Sequence, residues 1–274
     1  MEAIFEYFST IPSLHRSLIL VSGITFFWIL ESIIPLFKFS YNKVKHAGIN
    51  IFFTITTIII NFSLAFLLLK SSDWVSENTF GVLNWLQIDQ LWLNFLIGIL
   101  LLDLIAAYFA HFVEHKVKLL WGFHIVHHTD NEVDTTTANR HHPLESVVRF
   151  SFTCLAVLIS GAPIGTIMLY QALSVVLSQF NHANISLPKR IDRWLNWFIV
   201  TPNMHKVHHH QSMPYTDSNY GNIFGFWDRI FNTYLDLDSK ELIYGLDTYP
   251  DQKANSNLIS LLKSAFNKYR TPNS

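Results

Sequence analysis

The sequence predicts an all-α integral membrane fold: about three transmembrane helices, a helical hairpin, and a cytosolic helical cap rich in histidine. Three observations carry this reading. Half of the 274 residues are apolar and only 14% are charged, against about 25% in an average soluble domain. The mean hydropathy is positive, at +0.26. Apolar stretches long enough to cross a bilayer occur in the first half, while every histidine except His15 and His46 falls between His111 and His210.

A bilayer core takes about 20 consecutive, mainly apolar residues in helical form. The start of the chain carries Glu2 and Glu6 rather than the basic region of a signal peptide. Residues 17–37 therefore read as a retained first span, with Glu31 and Pro35 near its end. Residues 49–69 form a second span without a charge, and residues 91–110 a third, interrupted only by Asp103. The apolar region 150–180 is too long for one upright span and has Gly161-Ala162-Pro163 near its middle. Proline breaks the helical hydrogen-bond ladder, so two shorter helices forming a hairpin fit better.

Loop charges give an orientation. Lys38, Lys43 and Lys45 separate the first two spans, whereas Asp73, Glu77 and Asp89 separate the second and third. Lys116, Lys118, Arg140 and Arg149 follow the third span, and Lys189, Arg190 and Arg193 follow the hairpin. The positive-inside rule puts the 38–46 loop and the histidine regions 111–149 and 181–240 in the cytoplasm, on a single membrane-embedded domain covering 1–274. Residues 258–269 have apolar positions at helical spacing with Lys263 and Lys268 between them. An interfacial helix and a helix packed on the cap both suit that pattern.

Composition also excludes. A net charge of −1 offers no basic field for nucleic acid. The lone cysteine, Cys154, rules out a disulfide within the chain and a cysteine-based metal site.

Three histidine groups carry the chemistry: His111-Phe-Val-Glu-His115, His124-Ile-Val-His127-His128 and His205-Lys-Val-His208-His209. On a helix, positions i, i+3 and i+4 share a face, so three helices can present these eight imidazoles toward one space. At the histidine frequency of this chain, one HxxHH pattern is expected by chance roughly 0.04 times, and two far less often. Imidazole suits iron, copper, zinc and nickel. Eight ligands are too many for one ion and enough for two, and a structural zinc site would take four, often with thiolate. The cap is thus expected to bind metal.

With these boxes in view, the stretch 103–234, about half the chain, resembles the fatty acid hydroxylase/sterol desaturase superfamily of membrane di-iron enzymes. The resemblance rests on the three boxes in order, on Asn181-His182-Ala183-Asn184, and on Thr201-Pro202 before the third box. It rests also on Asn219-Tyr220-Gly221, on Trp227-Asp228-Arg229-Ile230-Phe231, and on Thr135 to Arg140 with His141-His142-Pro143. The region around the third box looks most like the alkylglycerol monooxygenase branch. Phe112 stands where many members have Arg, and Lys116 where that branch tends to have an acid.

The resemblance implies hydroxylation, or alternatively desaturation, of an unactivated lipid C–H bond, with two iron ions, O₂ as co-substrate and an external electron donor. Zinc could replace iron after overexpression, because it outcompetes ferrous iron at such sites. The eight box histidines carry over as metal ligands. His182 is expected as a further ligand or catalytic group and His142 as another ligand, whereas His141 and His210 rank lower. Ligating histidines need partners for their second nitrogen; Asp103, Glu114, Asp130 and Asp228 are the acidic candidates. Asp103 stands out because a carboxylate within a span is costly and usually functional. Trp227 and Arg229 read as anchors of the final segment, and His15 and His46 as isolated. Lys116 favours a small redox protein over a pterin as reductant. Two other readings compete. A zinc-dependent membrane hydrolase would use about three ligands and leave five box histidines unexplained. A metal transporter would place its ligands inside the spans.

Overall fold

The structure, a computed structural model, describes residues 2–248 and 252–267. It is helical throughout; among the described residues the only extended pairings are two isolated bridges, Pro35 with Ile185 and His210 with Tyr244. In chain order the helices are α1 (Glu2–Ser9), α2 (Ser13–Ile33), α3 (Lys43–Glu77), α4 (Val82–Leu86), α5 (Leu91–Leu102), α6 (Ala110–Lys116) and α7 (Lys118–His128). There follow α8 (Pro143–Ser160), α9 (Ile164–His182), α10 (Lys189–Leu195), α11 (Pro202–His208), α12 (Phe226–Ile230), α13 (Gln252–Asn255) and α14 (Leu258–Ser264).

Four helical stretches are long and apolar enough to cross a membrane: Ser13–Ile33, Lys43–Leu86, Leu91–Lys116 and Pro143–Ser160. Their outward faces carry large apolar side chains such as Val21, Ile59 and Phe62, all exposed. In water that surface would drive aggregation; against acyl chains it is matched to its solvent. The inward faces of α3, α5, α8 and α9 meet in a core that includes Leu68, Leu102, Phe150, Val157 and Ile167.

Two helices outrun the spans expected from hydropathy, and both extensions serve the histidine-bearing end. At about 1.5 Å per residue, the 35 residues of α3 exceed a bilayer core of about 30 Å. Its first turns, with His46 and Asn50 buried, therefore rise beside the histidine cluster. The rod Leu91–Lys116 is likewise continuous, but residues Asp103–Phe109 form a π-helical segment between α5 and α6. Such insertions recur at functional sites. This one buries Asp103, Ala106, Ala107 and Tyr108, and the following turns bury His111 and His115.

The hairpin is present and longer than 150–180. α8 starts at Pro143, a residue suited to the first helical turn, with His142 as its N-cap accepting from the Leu144 amide. The turn sits at Gly161, whose φ of +70° disfavours a side chain. A Cβ there would also lie 2.6 Å from the Phe80 carbonyl oxygen. α9 then packs against α1, α2, α5 and α11 and delivers His182 at its last residue. In the tail, Leu261 of α14 is fully buried against Phe53 and Val126, so this helix packs on the protein. Lys268 and Tyr269 lie outside the described residues.

Candidate metal centre

The eight box histidines and His182 come together as nine buried imidazoles in two groups. Within each group one ligand atom per residue lies within 4.8 Å of all the others. The first group is His111, His115, His124, His128 and His208; the second is His127, His182, His205 and His209. The boxes do not each serve one centre. In both HxxHH boxes the i and i+4 residues go to one centre and the i+3 residue to the other. Thus His124 and His128 part from His127, and His205 and His209 from His208. The geometry of the helix requires this: at 3.6 residues per turn, i+3 and i+4 point about 100° apart, on opposite sides of i.

Local sequence sets each helix. α11 is capped by Thr201, whose hydroxyl accepts from the Met204 amide at 3.3 Å, with Pro202 in the first turn. After α11, Asn219 takes a left-handed φ of 50°, which Asn tolerates better than most residues. Its amide is held by Met204 O, Leu235 O and the Leu235 N–H.

Four rings have their outer nitrogen committed. His111 Nδ1 donates to Tyr220 O at 2.9 Å, His208 Nδ1 to Ser218 O at 2.6 Å, and His182 Nδ1 to Ser178 O at 2.7 Å. His124 Nδ1 donates to Glu145 Oε1 at 2.7 Å. A neutral imidazole that donates from Nδ1 has a bare lone pair at Nε2. Yet His111 Nε2 faces His124 Nε2 at 3.1 Å, and His182 Nε2 lies 3.1 Å from His127 Nε2 and 3.0 Å from His205 Nε2. In the His111–His124 pair both Nε2 atoms carry lone pairs, which cannot hydrogen-bond each other. With metal–nitrogen bonds of about 2.0–2.1 Å, two donors at right angles on one ion stand about 3.0 Å apart, so these separations suit a shared cation.

Electrostatics agree. Burial holds His124 down to about 3, and burial followed by neighbouring imidazoles holds His127, His128, His205 and His208 well below the usual value. The rings are neutral, as metal ligation demands. The donor set is all imidazole, with Cys154 on α8 outside it, and fits iron, copper, zinc or nickel.

Several expectations about the surroundings need correction. His142 joins neither group: it caps α8, stacks on Phe123 at 5.6 Å, and its Nε2 lies 3.3 Å from Leu262 O. Asp103 reaches no histidine. Its carboxylate accepts from the Ile223 and Phe224 amides, each at 3.3 Å, and from Trp227 Nε1 at 3.0 Å, so it pins the loop after the third box to the membrane rod. Asp228 accepts from the Tyr220 and Gly221 amides and thereby positions the carbonyl that holds His111. Asp130 binds His46 Nε2 at 2.8 Å. Burial alone would raise its carboxyl, but His46 and Arg140 hold it far below the usual range. His46 is therefore part of a buried network rather than isolated. His210 is buried and lies in neither group; its ring packs at a tilt against Tyr215, with centres 5.2 Å apart. Glu114 comes nearest of the four acids, 3.8 Å from His124 Nδ1.

The acid that does hold one of the clustered histidines is Glu145. One of its oxygens receives His124 Nδ1, His141 Nδ1 and Arg149 Nε, at 2.7, 2.7 and 3.1 Å, and Arg149 also pairs with Glu114 at 2.7 Å. His141 stacks on His127 at 4.9 Å. Asp217, which follows the third box in sequence, lies 3.6 Å from His115 Nδ1 and is paired with Lys116. The i, i+4 pair His141 and Glu145 was a sequence signal for this cluster; the backbone carbonyls and Asp217 left none.

The fatty acid hydroxylase family model matches residues 95–233, which hold all nine clustered histidines. The chain is 28% identical over 148 residues to an alkylglycerol monooxygenase of Xenopus tropicalis, covering 52% of this chain and 30% of the relative. It is 31% identical over 144 residues to the alkylglycerol monooxygenase of Danio rerio, covering 52% and 30%. It is 24% identical over 127 residues to the ornithine lipid hydroxylase OlsE of Rhizobium tropici, covering 46% and 38%. The chain thus spans only about a third of the length of these curated relatives. No solved structure matches it.

Proposed function

The chain belongs to the fatty acid hydroxylase family, and on that premise we propose that it is a di-iron, O₂-dependent monooxygenase that hydroxylates a lipid C–H bond. The observation that carries this is the pair of all-imidazole groups whose Nε2 atoms converge, with lone pairs facing between His111 and His124. The relatives it resembles are named as lipid oxygenases.

His111, His115, His124, His128 and His208 would hold one ion, and His127, His182, His205 and His209 the other. Two irons so held supply the reduction of dioxygen. The residues of the chain do the rest. Glu145 and the Tyr220, Ser218 and Ser178 carbonyls fix ring orientation and tautomer, leaving each Nε2 free to bind. Complete burial of His124, His128, His208 and His209 excludes bulk water, which limits loss of reactive oxygen species to side reactions. His111 and His115 stand on α6, the continuation of the membrane-length rod Leu91–Lys116, so a lipid chain can approach from the bilayer while the polar side faces water. Overall, R–H, O₂, two electrons and two protons give R–OH and water. The electrons come from a separate reductant, with a small redox protein the fitting class beside Lys116. The loop charges support a cytoplasmic position for this side.

The test is isotopic. In membranes given ¹⁸O₂ and a reducing system, one labelled atom should enter a lipid hydroxyl. A product labelled only from water, or turnover independent of O₂, contradicts the proposal and favours a zinc hydrolase. A new double bond without label would make the same site a desaturase.

A further inference from the structure

One surface of the molecule is apolar, aromatic and basic at once, and it takes no part in the metal centre. α10 exposes Ile191 and Trp194, and the turn after it exposes Trp197 and Phe198; α12 and the next residue expose Ile230 and Phe231. Trp194 is 65% accessible and Trp197 58%, a large cost in water for residues that fold could have buried. On the same short helix stand Lys189, Arg190 and Arg193, all exposed. Lys189 meets Asp238 at 3.0 Å in an exposed pair, which contributes little. Arg190 and Arg193 form no ion pair among the described residues.

The patch is fastened at membrane depth. Asp103, inside the rod Leu91–Lys116, binds Phe224 and Trp227. Phe231 packs against Tyr108 and Phe109 of the same rod, with ring centres 5.1 and 5.4 Å away. Asp103 precedes His111 by eight residues, roughly 12 Å along a helix, toward the apolar middle of the rod. α10 is locked to α12 in turn. Arg229 donates to Asn196 O at 2.6 Å and Asn196 Oδ1 at 2.7 Å, and its guanidinium lies 4.4 Å from the Trp197 ring centre. The patch is therefore continuous with the lipid-facing side of a membrane rod and cannot stand clear of it.

Tryptophan beside arginine and lysine, at the level where a span leaves the hydrocarbon, is the composition of an interfacial anchor. We propose that α10, α12 and the Trp197-Phe198 turn form a foot embedded in the headgroup region of an anionic phospholipid leaflet, on the side of the metal centres. The aromatic rings occupy the boundary between acyl chains and headgroups, and Arg190 and Arg193 take lipid phosphates. A second protein laid over this patch would have to displace lipid from Phe109 and Phe231 as well.

Nitroxide labels at Trp194→Cys and Trp197→Cys, in the metal-loaded full chain carrying Cys154→Ser, test this by relaxation with oxygen and with a water-soluble nickel chelate. Phe62→Cys, on the exposed face of α3, reports lipid, and Glu241→Cys reports water. In phosphatidylcholine vesicles containing phosphatidylglycerol, labels 194 and 197 should show oxygen access above and nickel access below those of position 241, intermediate between it and position 62. Access matching position 241 would overturn the proposal. So would exclusion of both reagents, since that places a protein on the patch. Arg190→Glu with Arg193→Glu should shift label 194 toward nickel access in the anionic vesicles and leave it unmoved in pure phosphatidylcholine. The same reading with and without the reversal in anionic vesicles would overturn the role given to phosphate.

Discussion

His111 and His124 meet Nε2 to Nε2 at 3.1 Å, each with its Nδ1 already given to another acceptor, Tyr220 O for one and Glu145 for the other. Neither ring has a proton to offer the other while both stay neutral. The contact makes sense as two donors awaiting one cation; in the second group His182 alone has its Nδ1 committed, and its Nε2 stands 3.1 and 3.0 Å from those of His127 and His205.

Glu145 should matter nearly as much as a ligand. Its carboxylate holds His124 and His141 and is itself held by Arg149. Glu145→Gln removes the charge that fixes the His124 tautomer, and losses at such positions are about 10–100-fold in metal affinity or activity. Competition with a chelator should show the weakened affinity at unchanged helix content by circular dichroism. Wild-type affinity in the variant would remove Glu145 from the site.

Asp103 behaves differently. Asp103→Leu strips three donors of their acceptor in a fully buried place, where each unsatisfied group costs about 1–3 kcal/mol. Thermal unfolding should show a lower Tm, with the loop around Trp227 more open to proteolysis. If stability and loop protection stay at wild-type levels, Asp103 is not the pin of that loop.

His142→Ala should keep the full metal complement, because both of its nitrogens face backbone groups away from the centres. Loss of the cap should cost about 1 kcal/mol. A drop in bound metal with the fold intact would return His142 to the ligand set.

The reach of sequence reasoning divides along physical lines. Hydropathy exposed the helices that cross the membrane, because a bilayer demands one long apolar run per span, and Pro163 disclosed the hairpin turn. Box spacing disclosed the histidines that cluster, because i, i+3 and i+4 are local relations. Their division between two centres was implicit in the 100° offset but needed the third helix to show which side was which. Long-range partners were hidden. Asp103 lies 120 residues from Ile223, and His46 lies 84 from Asp130. The π-helical segment and the backbone carbonyls that orient His111 and His208 have no side-chain signature at all.

Orientation is open to reporter fusions. Fusions after Lys43 and after Ser212 should read cytoplasmic, and one near Asn78 external, following the loop charges. The same side for Ser212 and Asn78 would refute the orientation.

The most direct test of the whole account is the metal count on protein loaded anaerobically with ferrous iron. Two centres, of five and four histidines, predict about two ions per chain, each at nitrogen distances near 2.1 Å by X-ray absorption. His208→Ala should impair the first centre and His205→Ala the second, so the two variants should differ in which iron signal survives. One ion per chain in the wild type, or undiminished metal in both variants, would contradict the account.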